Sequence, residues 1–351
     1  MNLTAVSYAL IAAALFGIST PVAKVLVGST HPVVLAGLLY CGAGIGVAVL
    51  RKLPSSIFGS RHASEAALSH ADLPWLAGAI IAGGVVGPIL LLVGLARTDA
   101  STASLLLTLE GVATALMAWF VFHENFDRRI ALGMLSLVVG ATVLSWSGSP
   151  TLESILGPLA VVGACLAWGL DNNLTRKVSL ADPLQIVALK GIIAGPVNLT
   201  LGLLVGGSTP EFLPAFAALI VGFLSYGVSL ALYVLALRHL GTARTAAYFS
   251  TAPFFGALVA VVALKEPVSN QLALAGFFMA LGLWLHVTEH HEHEHVHDAQ
   301  AHAHSHVHDE AHQHTHGPGD PAGEPHTHAH VHEPVTHSHP HTPDMHHQHR
   351  H

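Results

Sequence analysis

Long runs of apolar residues, separated by short polar segments, dominate the first 288 residues of the chain. A helix that crosses roughly 30 Å of hydrocarbon needs about 20 mostly apolar residues. The pattern therefore predicts ten transmembrane helices, near residues 5 to 27, 33 to 50, 74 to 95, 100 to 122, 129 to 147, 156 to 175, 184 to 206, 212 to 237, 243 to 264 and 269 to 288. The segments between them are too short for a soluble domain, so we expect an all-α membrane protein.

The composition agrees with lipid as the solvent of this part of the chain. Only 10% of residues are charged and 52% are apolar, whereas soluble domains carry roughly 25% charged residues. Ten of the 21 acidic residues follow Thr288, which leaves the membrane part nearly neutral. We expect the lipid bilayer as a partner and no nucleic acid. Cys41 and Cys165 both lie in apolar runs and read as buried residues, not as a disulfide.

Basic residues are distributed unevenly between the predicted loops, and cytoplasmic loops carry the excess of Lys and Arg. With the N-terminus inside, nine basic residues face the cytoplasm and three face outward, at Lys24, Arg97 and Lys265. The pattern predicts a plasma or inner membrane protein with both termini in the cytoplasm.

The two halves of the apolar region resemble each other weakly. A shift of 142 residues places Glu124 on Glu266 and Gly140 on Gly282, and the pair Phe16-Gly17 in the first helix corresponds to Trp168-Gly169 in the sixth. An odd number of spans per half forces the halves into opposite orientations. We therefore predict two inverted five-helix repeats, residues 1 to 147 and 148 to 288, with a binding site near the midplane where the repeats meet.

Three recurring features carry a family resemblance: the FG or WG pair, a proline that opens the second helix of each half (Pro32, Pro183), and a glutamate that closes the fourth (Glu124, Glu266). Over residues 1 to about 288 the chain resembles the EamA-type members of the drug/metabolite transporter superfamily. That resemblance implies a secondary transporter for amino acids, nucleoside-like metabolites or drugs, not an enzyme. The chain departs from the family pattern at Glu110-Gly111, where the second half has Ala252-Pro253.

Glu110 lies near the middle of the fourth predicted helix. An ionised carboxylate at the bilayer centre costs about 2.5–3.5 kcal/mol on insertion scales, so it must face a cavity or a partner. A carboxylic acid in such a place can also carry a proton. Glu110 is therefore predicted as the residue that binds substrate or couples transport to protons. The alternative is a neutral Glu that joins two helices by a hydrogen bond.

A second polar group surrounds the WG pair. Asp171, Asn172 and Asn173 are consecutive, and three consecutive residues sweep about 200 degrees of a helix, so they cannot all face one cavity without local unwinding. The sequence predicts Asp171 and Asn172 in the cavity wall, with Lys190 as an ion-pair partner of Asp171, a basic position that the family resemblance also indicates, and Asn198 as a further lining residue. The alternatives are a segment near the cytoplasmic surface and a Lys190 that reaches the interface.

The last 62 residues hold 23 of the 29 histidines, mostly as His-x-His. Imidazole is a preferred ligand of Zn, Ni, Cu and Co ions, and in an extended chain alternate side chains share one side. Residues 289 to 351 are therefore predicted as a disordered, metal-binding tail. The predicted ligands are His290, His291, His293, His295, His297, His302, His304, His306, His308, His312, His314 and His316.

Together these features favour a transporter of a small organic metabolite that works by alternating access, with divalent metal bound by a cytoplasmic tail and no required cofactor. The first alternative is a divalent transition-metal (Ni, Co or Zn) transporter fed or regulated by the tail, and the second is a membrane metal sensor or storage protein. The spans contain no HExxH motif and no Ser/Lys, Ser/His or catalytic Asp pair. The sequence leaves both a monomer and a homodimer open.

Overall fold

The structure is a computed structural model. It describes residues 3–52, 68–122, 128–146, 152–178, 181–240, 245, 248–287, 291–297, 300–306, 326–332 and 335–341, and for the tail segments it describes the backbone alone.

Helices make up most of the described chain up to residue 287. In order they are α1 (Leu3–Val27), α2 (Pro32–Lys52), α3 (Leu73–Ala79), α4 (Gly87–Leu95), α5 (Ala100–Leu106), α6 (Leu109–Phe122), α7 (Arg128–Ser145), α8 (Leu152–Val178), α9 (Pro183–Leu204), α10 (Phe212–Gly222), α11 (Ser229–Leu240), α12 (Ala252–Ala263) and α13 (Asn270–Val287). A 3-10 turn, His70–Asp72, precedes α3.

Large apolar side chains cover the outside of the bundle, among them Ile45, Phe120, Leu132, Phe216 and Val262. Such a surface is suited to lipid. Within the described residues, seven helical stretches are long and apolar enough to cross a membrane, and three more are apolar but shorter, Ala131–Ser145, Ala252–Ala263 and Asn270–Leu285. The chain is thus a multi-pass membrane protein, although the predicted count of ten spanning helices is not confirmed.

Two pairs of helices run antiparallel in close contact. A Cβ at Gly44 on α2 would meet the backbone of Gly191 on α9, and a Cβ at Gly202 on α9 would meet the backbone of Val34 on α2. Residue numbers along α9 therefore fall as those along α2 rise, so the two helices run antiparallel. Helices α7 and α13 pack in the same way, with a hydrogen bond from Ser136 to the carbonyl of Phe278. Small residues at these crossings let the backbones approach closely.

In other contacts, helices of one half pack against helices of the other half. Helix α1 packs against α11 and α12, and α8 packs in the corresponding way against α4 and α6. The same rule holds for the helices that follow, because α2 packs against the segment between α10 and α11, and α9 packs against the segment between α3 and α4. These contacts of one half therefore have counterparts in the other half.

Each half also contains two irregular segments at corresponding positions. A π-helical segment, Ile80–Val86, joins α3 to α4, and another, Phe223–Val228, joins α10 to α11. The fourth predicted helix is interrupted by a turn at residues 107 and 108 between α5 and α6, and a turn at 250 and 251 precedes α12. In contrast, α9 continues through Pro196. Irregular backbone at membrane depth is tolerated where protein buries it or where it lines a cavity.

In the tail, the described residues form short paired strands. Four strands, β1 (His291–His297), β2 (Gln300–His306), β3 (His326–His332) and β4 (Val335–His341), pair as two antiparallel ladders, β1 with β4 and β2 with β3. The sequence predicted a disordered segment because it lacks core-forming residues. The alternation that places histidines on one side of an extended chain is also the period of a strand, so a paired backbone is compatible with it.

Candidate functional site between the halves

Glu110 is the second residue of α6 and lies in its first turn, two residues after the interruption. Its amide donates to the carbonyl of Leu107, and its side chain Oε1 accepts a 3.0 Å hydrogen bond from Asn172 Nδ2 on α8. The Glu110 side chain is half-buried, and Asn172 is exposed. The carboxylate thus lies at a helix break, bound to a partner on another helix, and retains an accessible surface.

Helix α8 is not unwound at its three consecutive polar residues; it divides them between two neighbours. Asn172 also donates to Thr114 Oγ1 at 3.1 Å, and Asn173 donates to the carbonyl of Thr114 at 3.1 Å. Asp171 points to the other side of α8, toward α9. The polar residues of α8 therefore connect α6 on one face and α9 on the other, as the 100-degree step of a helix requires.

Asp171 and Lys190 form an ion pair. Lys190 Nζ lies 2.5 Å from Asp171 Oδ1, with side-chain exposures of 16% and 12% respectively. Thr175 completes the group, because its hydroxyl donates to Asp171 Oδ1 at 2.8 Å and accepts from Lys190 at 2.9 Å. A buried charge persists only with a partner and with hydrogen bonds. In this structure Lys190 bonds inside the bundle and does not reach for the membrane surface.

The π-helical segment between α3 and α4 presents two carbonyl groups to side chains of other helices. The Gly83 carbonyl accepts from Tyr40 at 2.6 Å and from Trp168 at 3.0 Å, and the Gly84 carbonyl accepts from Asn198 Nδ2 at 2.8 Å. Asn198 is 0% exposed, so it has no accessible surface in this conformation. Sequence reasoning missed the roles of Tyr40 and Trp168, because their acceptor lies in a π-helical segment that the sequence did not predict.

Aromatic side chains lie on the second-half side of the same region. Phe16 contacts Tyr226 and Phe249, with ring centroids 5.6 and 5.5 Å apart, and Tyr226 also contacts Tyr40 at 5.7 Å. Tyr233 packs against Phe249 at 4.9 Å. Two of these aromatic residues, Tyr226 and Tyr233, carry hydroxyls, and such a surface suits ligands with both polar and apolar parts.

The glycines of the FG and WG pairs have a structural explanation. A Cβ at Gly17 would collide with the Ala252 carbonyl on α12, and a Cβ at Gly169 would lie 2.9 Å from Ala113 on α6. Each glycine therefore lets the first helix of one half touch the interrupted helix of the other half. This contact sets the distance between the two interrupted helices and the first helices that face them.

Among the described residues, charged side chains lie at one of the two equivalent contacts. At the crossing of α6 and α8 lie Glu110 and the polar residues of α8, whereas a shift of 142 residues places Ala252 at the position of Glu110. Ser19 and Thr20 occupy the counterpart positions on α1 and are buried. The backbone is similar in both halves, yet the ionisable chemistry lies in one of them.

An apolar groove of about 580 Å³ adjoins this region between α6, α7 and α8. It begins at Leu109, directly before Glu110, and its lining is apolar apart from Thr142 and Ser145. The groove can hold a hydrocarbon or aromatic group, but it offers little to orient a polar one.

The described side chains contain no group of three or more His, Cys, Asp or Glu residues able to hold a metal ion. Of the predicted metal ligands, His290, His308, His312, His314 and His316 lie outside the described residues. The other seven lie on β1 and β2, where the structure gives the backbone: His291, His293, His295, His297, His302, His304 and His306.

A model of the EamA-like transporter family matches the chain twice, over residues 3–146 and 155–288. The chain belongs to the EamA-like transporter family. A relative described as an uncharacterized transporter, from Methanothermobacter thermautotrophicus, is 31% identical over 283 residues, which cover 77% of this chain and 82% of the relative. A solved protein crystal structure shares the fold, with a TM-score of 0.58 and 18% identity over 81% of this chain and 96% of the other.

Membership in this family makes the chain a membrane transporter of the drug/metabolite type, as the sequence predicted. Such a protein works in a lipid bilayer on a small-molecule substrate. Glu110 and Asn172 are hydrogen-bonded on one side of α8, and Asp171 and Lys190 form an ion pair on its other side, where the two matched segments meet. Their roles in transport belong to the proposal that follows.

Proposed function

We propose that the chain is a secondary transporter that moves a small organic metabolite by alternating access between two inverted five-helix repeats, residues 1 to 147 and 148 to 288. Support comes from the two matches to one family model and from the antiparallel packing of α2 with α9 and of α7 with α13. Corresponding helices that run antiparallel are the geometry of inverted repeats, and corresponding interrupted helices are the best pointer to a transporter's site.

The observation that carries the proposal is the position of Glu110. It is a partly accessible carboxylate at a helix interruption, held by Asn172 from the other half. In its protonated form the carboxyl can donate a hydrogen bond, and in its ionised form it can bind a cationic group of the substrate. We assign it the coupling or substrate-binding role, with Asn172 as a polar contact of the substrate.

Asp171 and Lys190 complete the proposed wall, and their ion pair joins α8 to α9. Asn198 is fully buried, so its role is to hold the π-helical segment and not to line the site. The charges of Asp171 and Lys190 cancel each other, so the net charge of the proposed site depends on Glu110. A substrate with an amino group, such as an amino-acid-like metabolite, matches a site with one unneutralised carboxylate and aromatic neighbours.

The test is substrate flux in proteoliposomes, measured at several values of pH. The exchange Glu110→Gln keeps the shape and the hydrogen bond to Asn172 but removes the titratable group, so we expect flux to lose its pH dependence. Glu211→Gln is the matched control, because Glu211 is an exposed glutamate at the start of α10. A Glu110→Gln protein whose flux keeps the pH dependence of the parent refutes the coupling assignment.

We further propose that both termini lie in the cytoplasm of a plasma or inner membrane, since nine basic residues favour that side against three. The tail would then bind divalent ions such as Zn, Ni, Co or Cu on the cytoplasmic side. Truncation at residue 289 tests its part in transport. Unchanged metabolite flux supports the proposal, metal flux that is lost on truncation supports the metal transporter, and metal binding without any flux supports the sensor or storage protein.

A further inference from the structure

Helix α7 leaves a gap beside α8. It packs along α13, where Gln271 Nε2 donates to the carbonyls of Val143 and Trp146 at the end of α7, at 2.5 Å each. Helix α6, in contrast, packs along α8. The apolar groove of about 580 Å³ lies between these two pairs of helices.

The rim of this groove belongs to the outer surface of the bundle. Val138, Trp146 and Leu166 line the groove and are exposed, whereas Val112 and Cys165 form part of its buried wall. The chain is a multi-pass membrane protein, so exposed apolar side chains on its spanning helices meet lipid. The groove is therefore continuous with the lipid-facing surface and opens to it sideways.

The lining offers an occupant little polar contact. None of the described residues that line the groove is charged, and the hydroxyl of Thr142 already donates to the carbonyl of Val138 on its own helix at 2.8 Å. A polar or charged ligand would give up its hydrogen bonds to water without replacing them, which costs free energy. A hydrocarbon chain has no such bonds to lose, so the lining favours hydrocarbon.

The length of the groove matches one leaflet of a bilayer. Along α8 the lining extends from Ile155 to Leu166, eleven residues apart, which corresponds to roughly 16 Å along the helix axis. The hydrocarbon core of a bilayer is about 30 Å thick, so one leaflet fills about half of it. Trp146 lies at the end of the groove near the start of α8, and tryptophan is enriched where a membrane meets water.

We propose that the groove is a binding site for one acyl chain of a bilayer phospholipid. The chain enters between α7 and α8, with its headgroup at the level of Trp146 and its end beside Leu109, one residue before Glu110. It fills the space between the α7–α13 pair and the α6–α8 pair. The site goes beyond the proposed transport of a metabolite, because it holds a component of the membrane and needs no transported substrate.

The test is photolabelling of the full-length protein in nanodiscs of phosphatidylcholine. A trace of the lipid carries a diazirine along one acyl chain, and the labelled peptides are identified by mass spectrometry after irradiation. We expect an excess of label on the groove residues of α6, α7 and α8, compared with Leu213 and Phe216, which are exposed on α10 and lie outside the groove. Equal labelling of the two surfaces overturns the proposal.

Two variants fill the groove from opposite walls, Val162→Phe on α8 and Thr142→Phe on α7. The matched control is Ala280→Phe, which adds a ring at an exposed position of α13 outside the groove. We expect each filled variant that folds to lose the excess label, and the control to keep it. An excess that survives in the filled variants refutes the acyl-chain site.

Two other occupants are distinguished by the same labelling. Loss of the excess when phenethylamine is added to the parent assigns the groove to an amine-bearing substrate. Loss of the excess in nanodiscs that hold two copies of the protein, compared with those that hold one, assigns it to a second copy of the chain. Either result overturns the lipid site. Because the described lining carries no charge, phosphatidylglycerol with the same chains should label the groove as phosphatidylcholine does; labelling by one headgroup alone contradicts recognition of the chain.

Discussion

The ion pair between Asp171 and Lys190 allows a quantitative prediction. Removing one member leaves the other charged, desolvated and without its counterion, which typically costs about 3–5 kcal/mol. The pair is 12% and 16% exposed, so solvent compensates for little of that loss. We expect Asp171→Asn and Lys190→Met each to lower the free energy of unfolding by about 3 kcal/mol, roughly a hundredfold in the unfolding constant.

The double variant completes a mutant cycle that isolates the interaction energy between Asp171 and Lys190. Because it leaves no unpaired charge, the combined exchange should cost clearly less than the sum of the single exchanges, with a coupling energy within the about 0.5–3 kcal/mol seen for residues in contact. Thr175→Val is the matched control, since it removes one neutral hydroxyl from the same group and should cost about 1 kcal/mol. The free energy of unfolding of the parent and of these four variants is measured by denaturant unfolding in mixed micelles. Costs that add without coupling would refute a pair that acts as one unit.

Three further predictions concern packing and hydrogen bonds, and the same unfolding measurement checks each. Gly169→Ala places a methyl group against α6 and should destabilise the protein by about 1–3 kcal/mol. Its control, Gly111→Ala, adds a methyl group with nothing within 4 Å and should be neutral or stabilising. Equal effects of the two exchanges would contradict the helix contact. Tyr40→Phe and Trp168→Phe should each cost about 1 kcal/mol and together more than their sum, because only the double variant leaves their shared carbonyl without a donor. Glu266→Gln should cost about 1.5 kcal/mol or more by weakening charge-assisted bonds to the amides of α5; a neutral result would show that these bonds are not made.

The sequence points to the polar residues of the proposed site but not to their geometry. An ionisable residue amid apolar ones is visible in any hydropathy pattern, so Glu110, Asp171 and Lys190 could be found without coordinates. The interruption before Glu110 could not be predicted, because residues 107 and 108 are Leu and Thr and neither breaks helices. The π-helical segment was equally hidden, although the pair Gly83-Gly84 offered a weak signal.

Strand pairing in the tail lay beyond sequence reasoning for a different reason. Histidines alternate with other residues in both paired regions, so every even shift of register opposes histidine with histidine. Periodicity therefore predicts an extended chain but does not select its partner. The helical part is less ambiguous, because glycine positions allow only particular helix crossings.

The glycine contacts between α2 and α9 have a mechanical consequence. Their backbones touch at Gly44 with Gly191, and at Gly202 with Val34, over several helical turns. Sliding either helix by one residue would drive a side chain into the space that a glycine leaves free, which close-packed interiors do not permit. The two helices are therefore expected to move as one rigid unit that joins the halves, and the proposed alternating access would require the other helices to turn about this unit without separating α2 from α9.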